Sequence, residues 1–343
     1  MMNKRLKQGS TFLLAVALTF PLLTLPGAKA ASAIDTDAEC SIEFDISGNS
    51  SELLSARIPV NLYKVASVDE SGNYTVTDAF TGLDLSSVSA DNLDTAAATW
   101  AARAKEAQGK LTDSDGKTVV KPTETVTLQN GRGYKDKLKT GLYLVDTPKV
   151  ITPNYTYTFT PYLVSLPTNN YYSGNGASDD WIYDLTKEHN SAVGLKPEQH
   201  VRYGDLVINK ELKDHNATSG NNATFVFQID ITTLDNKKET RIEELTFDAA
   251  GSHSVTIEKI PAGSHVTVTE VYSGASYELA SAKIQETDII ANPEKKSEEE
   301  FRPAEVSFIN KHDGRTNGGY GVKNNFKLDE NGQYQYTEPA EKN

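Results

Sequence analysis

The chain has 343 residues, enough for a leader and two domains with separate cores, and its formal net charge of −13 argues against nucleic acid or an anionic membrane surface as partner. Its single cysteine excludes an internal disulfide and a zinc knuckle. With 23 Gly and 16 Tyr against only 2 Met, and many Thr and Val, it reads as β-rich and extracellular.

The chain opens on a secretory signal. "MMNKRLK" supplies the positive segment, "TFLLAVALTFPLLTLPG" the apolar run, and "AKA", ending at Ala30, a small-residue cleavage site, with Ala33 as a second candidate. Residues 1–30 are therefore read as a signal peptide and the mature chain as exported. No other stretch approaches the roughly 20 apolar residues that a bilayer span needs. Cys40 follows soon after. Asp37 and Glu39 stand where a lipoprotein anchor needs small or apolar neighbours, so the cysteine reads as a small buried residue of the strand "CSIEF".

Residues 35–190 read as a strand-rich sandwich with one inserted helix. "ECSIEFDIS", "ARIPVNLYKVASV", "TGLYLVDTP" and "YTYTFTPYLVSLP" alternate or run apolar between turn residues, as strands do. The exception is "SADNLDTAAATWAARAKEAQGK", rich in Ala, with Leu93 and Trp100 on one face, a cap at Ser89 or Asp91 and a stop near Gly109. Lys64 shares parity with Ile58, Val60 and Leu62, but no strand of this domain offers it a matching Glu and Asn. Residues 191–202, polar and containing Pro197, read as a short linker.

The second domain, 203–313, reads as six or seven strands. After "DLVINKEL" come "ATFVFQIDITT", with Phe225, Phe227, Ile229 and Ile231 on one face, then "HSVTIEKI", a "PAGS" turn, "HVTVTEVY", "YELASAKIQE" and "EVSFINK". Side chains i and i+2 share a face. By that rule Lys210 lies with Leu206, Ile208 and Leu212, Glu270 with Val266 and Val268, and Asn310 with Val306 and Phe308. Three polar groups thus occupy inward faces, which is costly unless they pair or react.

Their chemistry is complementary. An apolar site pulls a lysine down from about 10.4 towards neutrality and makes its amine nucleophilic. The same burial keeps a glutamic acid protonated, able to donate to the Asn310 carbonyl. Attack of the Lys210 amine on the Asn310 carboxamide expels ammonia and joins the two side chains. Fixed neighbours reach effective molarities of roughly 10⁵ M or more, so no external enzyme is needed.

Residues 314–343 read as a flexible tail or a small hairpin: "HDGRTNGGYGVKNN" is a Gly and Asn-rich connector, and "FKLDENGQYQYTE" suits a hairpin around Asn331-Gly332. Other chemistry is absent from the pattern. The six His are scattered without metal-ligand spacing, "TDSDGK" and "LDENGQ" lack a full calcium ligand series, and no phosphate loop or nucleophile elbow is present. Neither a metal nor a cofactor is expected.

The segments "VINKEL", "SVTIEKIPAGSHVTVTE" and "VSFINK" resemble the CnaB-type domains of Gram-positive pilins and surface adhesins. The resemblance covers about residues 203–313. It implies an immunoglobulin-like β-sandwich with an intramolecular isopeptide bond between Lys210 and Asn310, assisted by Glu270. More weakly, "LYKVASVDESGNY", "GLYLVDTP", "FTPYLVSLP" and "WIYDL" resemble the N-terminal regions of Gram-positive backbone pilins. There a lysine within a Tyr-Pro-Lys-Asn signature is the nucleophile that sortase joins to the next subunit. Here the segment is "YDLTKEHN", which lacks the Pro, and Lys187 is the nearest candidate. The chain ends in "YTEPAEKN" rather than a Leu-Pro-x-Thr-Gly-like sorting motif, so wall anchoring through its own C-terminus is not expected.

The fold class is therefore all-β: tandem immunoglobulin-like, CnaB-type sandwiches, the first with an inserted helix. The resemblance implies a non-enzymatic, secreted surface protein, a pilin-like or adhesin-stalk subunit. Its implied partners are other pilin or surface subunits, a sortase, and a host or matrix ligand. A second reading stays open, a secreted carbohydrate- or matrix-binding module contacting ligand through exposed aromatics of "YTYTF" or "TNNYYSGNG".

Overall fold

The computed structural model describes residues 33–88, 97–169, 181–189, 192–216, 222–294, 301–315, 325–328 and 334–337. The chain divides into two compact units, Met1–Thr152 with Tyr157–Gln199, and Pro153–Thr156 with His200–Asn343. The division at 199/200 falls inside the segment read as a linker, and that segment carries a strand, Pro197–Val201. The signal segment and its Ala30 site lie outside the described residues. Among the described residues no helix is long and apolar enough to cross a membrane.

The first unit is built on a five-stranded sheet. Its order is Tyr74–Val76, Ile58–Val68, Gly141–Asp146 and Tyr162–Leu166, with Glu124–Leu128 also paired to Ile58–Val68. A second, three-stranded sheet has the order Asp184–Leu185, Glu39–Asp45, Arg132–Lys139. Buried apolar runs explain the central strands: all five residues from Gly141 to Val145 are buried, as expected where both faces of a sheet are covered.

One face is covered by the helix Ala97–Gly109. Its small residues Ala104 and Ala107, three apart and fully buried, pack with Tyr63, Val65, Leu142 and Leu144, so the helix backbone approaches the sheet closely. The expected caps at Ser89 and Asp91 lie outside the described residues. A shorter helix, Ser51–Ser55, is capped by the Ser50 hydroxyl, which accepts from the Leu53 amide. It was not expected, being too short to show a 3.6-residue apolar period.

The second unit is a β-sandwich of two four-stranded sheets. One has the order Gly251–Pro261, Tyr203–Leu212, Ala304–His312, Tyr277–Leu279; the other Lys238–Phe247, Ala223–Thr232, His265–Tyr272, Ile284–Asp288. The strands Tyr203–Leu212, Ala223–Thr232 and His265–Tyr272 alternate buried and more exposed residues almost without exception, and their inward sets fuse into one core. Leu206, Ile208, Phe225, Phe227, Ile229, Val266, Val268 and Phe308 all have no exposed surface there. A fully buried side chain of that size contributes about 1.5–3 kcal/mol.

The first and last strands of this unit are parallel neighbours, in register Ile208 with Val306, Lys210 with Phe308 and Leu212 with Asn310. Two elements differ from expectation. Lys238–Phe247 is a strand despite its charges, because it lies at a sheet edge with only Phe247 fully buried. "YELASAKIQE" is not one strand but two, Tyr277–Leu279 and Ile284–Asp288, which belong to opposite sheets. In the tail, Asn325–Leu328 and Tyr334–Thr337 pair antiparallel, and the expected Asn331-Gly332 turn lies outside the described residues.

Candidate functional site

Three strands deliver one polar side chain each to the centre of this second core. Lys210 comes from the first strand and Asn310 from its parallel neighbour, while Glu270 comes from the opposite sheet, where it pairs across from Phe227. Lys210 and Glu270 are 1% exposed and Asn310 not at all. The backbone around Asn310 is pinned on both sides: its carbonyl accepts from the Lys213 amide at 2.9 Å, and Leu279 pairs opposite it.

The three side chains converge. Lys210 Nζ donates to Asn310 Oδ1 at 2.6 Å, and Asn310 Nδ2 donates to Glu270 Oε1 at 2.7 Å. Glu270 Oε2 stands 3.7 Å from Nζ. The ammonium also donates to the Glu211 carbonyl at 3.3 Å and lies 4.4 Å from the centre of the Phe225 ring. The Asn310 amide nitrogen reaches the Ser273 carbonyl at 3.5 Å.

One detail differs from the sequence reading, in which Glu270 donates to the Asn310 carbonyl. Here Lys210 occupies that oxygen, and the acid sits on the amide nitrogen, which has only N–H groups to offer. The carboxyl therefore spans the amine and the nitrogen that an acyl transfer would expel. Burial shifts both groups towards neutrality. It brings Lys210 down to about 8, with Glu270 and Glu211 pulling the other way. It also raises Glu270, against the opposing pull of Lys210, Ser273 and Asn310. Neutral amine and neutral acid are the forms that acyl transfer uses.

The other candidates are placed differently. Lys187 lies in a short helical turn, 60% exposed, its Nζ 3.8 Å from Asp45 Oδ2 and its amide donating to Glu43 Oε2. Lys64 is half-buried beside Lys139 and Cys40, and burial lowers its pKa. Cys40 is buried in the strand Glu39–Asp45, and burial pushes its thiol up to about 12, the state of an inert core residue. Of the aromatics in "YTYTF", Tyr157 is 2% exposed and hydrogen-bonded to the Ser50 hydroxyl, so it is not a ligand contact. Most of "TNNYYSGNG" lies outside the described residues. Among the described residues no group of three or more His, Cys, Asp or Glu could hold a metal.

Sequence reasoning treats Phe225 as an ordinary core residue. Parity places it on the inward face, but only the structure puts its ring against the lysine.

A family model described as a domain of unknown function, DUF5979, matches residues 206–313, the stretch that holds all three site residues. No curated protein sequence matches the chain. Among solved structures the chain is similar to the Bacillus anthracis TIE protein, at 14% identity and a TM-score of 0.27, over 55% of this chain and 28% of that one. It is similar to the full-length major pilin SpaD from Corynebacterium diphtheriae, at 12% identity and a TM-score of 0.24, over 81% of this chain and 99% of that one. It is also similar to GBS52, the minor pilin of Streptococcus agalactiae, at 12% identity and a TM-score of 0.21, over 80% of this chain and 96% of that one. The chain thus spans little more than a quarter of the TIE protein and nearly the whole of the two pilins.

Proposed function

We propose that the second unit cross-links itself through an amide between Lys210 and Asn310, with Glu270 as acid–base, in a secreted, pilin-like or adhesin-stalk surface subunit. The observation that carries this reading is the buried triad, with the amine 2.6 Å from the carboxamide oxygen and the acid 2.7 Å from its nitrogen. In the reaction, proton exchange within the pair leaves Lys210 as amine and Glu270 as acid. The Nζ lone pair attacks Asn310 Cγ and forms the new C–N bond. Glu270 delivers its proton to Nδ2, the Cγ–Nδ2 bond breaks, ammonia leaves, and the proton shed by Nζ returns to Glu270. No oxidant or cofactor enters the balance.

Intact-mass spectrometry of the mature chain tests this. The expected result is a mass lower by about 17 Da, one ammonia; a full, unmodified mass refutes it.

For linkage to other subunits by a sortase, the resemblance points to Lys187, and the strand pairing adds Lys196. Lys187 is the nearest in sequence. Lys196 sits further along the same line: Asp184–Leu185 runs parallel to Glu39–Asp45, and that pairing resumes between Phe44 and Val193, three residues before exposed Lys196. Detergent-resistant ladders on the native cell surface, lost in Lys187→Ala or in Lys196→Ala, identify the acceptor. Ladders that persist in both variants exclude both.

A further inference from the structure

We infer that the face of Phe225 is a positioning group for the Lys210 amine, turning its lone pair towards Asn310. The inference rests on the cross-link reading. Lysine carries four side-chain torsions, so burial alone does not aim its nitrogen. An ammonium has three N–H bonds, and here they find Asn310 Oδ1 at 2.6 Å, the Glu211 carbonyl at 3.3 Å, and the ring of Phe225, whose centroid is 4.4 Å away, with Glu270 Oε2 at 3.7 Å beside them.

Nucleophilic attack requires losing one of those protons. The ring face is electron-rich and attracts N–H rather than a lone pair. The Glu211 carbonyl likewise accepts only N–H. Both contacts therefore retain their protons when the amine passes one to Glu270, and the lone pair is left on the side of Nζ that faces Asn310 and Glu270, from which a small rotation brings it onto Asn310 Cγ. Without the ring, the amine can rotate its lone pair away at little cost.

The ring is itself held. Phe225 is fully buried and meets Phe247 nearly edge-on, at 5.6 Å and 86°, and Tyr277 at 5.7 Å and 60°. Phe247 in turn stacks on His253 at 4.3 Å and 15°, and His253 is the residue opposite Lys210 in the neighbouring strand. Rotation of the Phe225 face away from Nζ would disturb all of these contacts.

The test follows ammonia loss by intact mass in the full mature chain, synthesised in a cell-free system and sampled over time between pH 5 and 9. Phe225→Leu and Phe225→Met remove the ring and keep an apolar side chain; Phe225→Tyr keeps the ring. In the ring-less variants the plateau rate should fall about tenfold, as misaligned reactants do. The rising limb of the rate should also move to lower pH by about one unit, because the ammonium loses its cation–π partner. Phe225→Tyr should stay close to wild type in both respects. A merely structural role predicts the opposite shift, since a loosened, wetter core returns the lysine towards its ordinary, higher pKa. Wild-type reaction with an unchanged plateau in both ring-less variants, or with their limbs moved upward, overturns this role alone. A wild-type chain that keeps its full mass overturns the cross-link and this role together.

Discussion

Removing the proposed cross-link in two different ways separates what the covalent bond would contribute from what the buried polar pair costs. In Asn310→Ala the amine has no acyl partner, and Lys210 and Glu270 remain together in the core. In Lys210→Met the bond is equally impossible, but the nitrogen is gone and an apolar chain lies against Phe225. Both variants lose the same restriction of the unfolded chain. The proposed bond would close a span of 100 residues, which the loop-entropy relation converts to about 4.7 kcal/mol at 25 °C. For a domain of this size that is a fall in Tm of about 20 °C. They differ in the unreacted pair: Asn310→Ala strips Nζ of its 2.6 Å acceptor inside the core, at a further cost of about 1–3 kcal/mol, whereas Lys210→Met leaves the buried Glu270 without the cation 3.7 Å from it, at about 3–5 kcal/mol. Calorimetry of the full mature chain, with intact mass confirming the reaction state of each sample, should rank wild type above Asn310→Ala and Asn310→Ala above Lys210→Met. An Asn310→Ala melting point within a few degrees of a wild-type chain that has lost ammonia would refute the loop-entropy argument. A Lys210→Met chain more stable than Asn310→Ala would refute the argument from the buried pair.

Three further outcomes follow from the same geometry. Glu270→Gln keeps the size of the side chain but not its proton transfer, so ammonia loss should slow at least about 100-fold, and newly made protein should retain its full mass for hours. In Asn310→Ala, Lys210 still titrates; its folded pKa of about 8 lies below the unfolded 10.5, so the unfolded chain holds more protons between those values. Urea midpoints should therefore rise with pH across that window in Asn310→Ala and not in cross-linked wild type, whose Lys210 nitrogen is an amide; a flat Asn310→Ala profile contradicts the lowered lysine. Gly204→Ala should destabilise the second unit by about 1–3 kcal/mol, because a Cβ there would lie 1.9 Å from the Ile290 carbonyl oxygen, a backbone atom that cannot swing aside. Denaturant titration showing no loss would mean that the segment carrying Ile290 yields freely.

Much of the site is legible from parity alone. In a sandwich, sharing a face with Leu206 and Ile208 means pointing into the core, so Lys210 is placed by its neighbours, as are Glu270 by Val268 and Asn310 by Phe308. Parity leaves the pairing partner undefined. That Asn310 lies on the parallel neighbour of the Lys210 strand, and Glu270 on the opposite sheet, depends on contacts 100 and 40 residues away from Asn310. The orientation of the carboxamide, oxygen to lysine and nitrogen to acid, is likewise a property of three side chains together. Phe225 is indistinguishable in sequence from Phe227, which meets Phe308 instead. The charged edge strand Lys238–Phe247 escapes a hydrophobic pattern because only Phe247 of its residues is fully buried in the core. The break within "YELASAKIQE" escapes because a chain can cross between sheets with no change in composition.

The topology also gives the proposed bond a mechanical meaning that stability alone does not. The first and last strands of the second unit are parallel neighbours, so tension applied at its two chain ends pulls them in opposite directions along their length. A ladder loaded in that way shares the force over many hydrogen bonds, each worth only about 1 kcal/mol net. An amide between Lys210 and Asn310 diverts the load: the path enters along the first strand, crosses at the bond and leaves after Asn310. The chain between the two residues, including Phe225, Glu270 and most of the core, then carries no tension. Single-molecule pulling distinguishes the two cases, because the cross-linked unit cannot release those residues into its contour length, whereas Asn310→Ala should release them in one step.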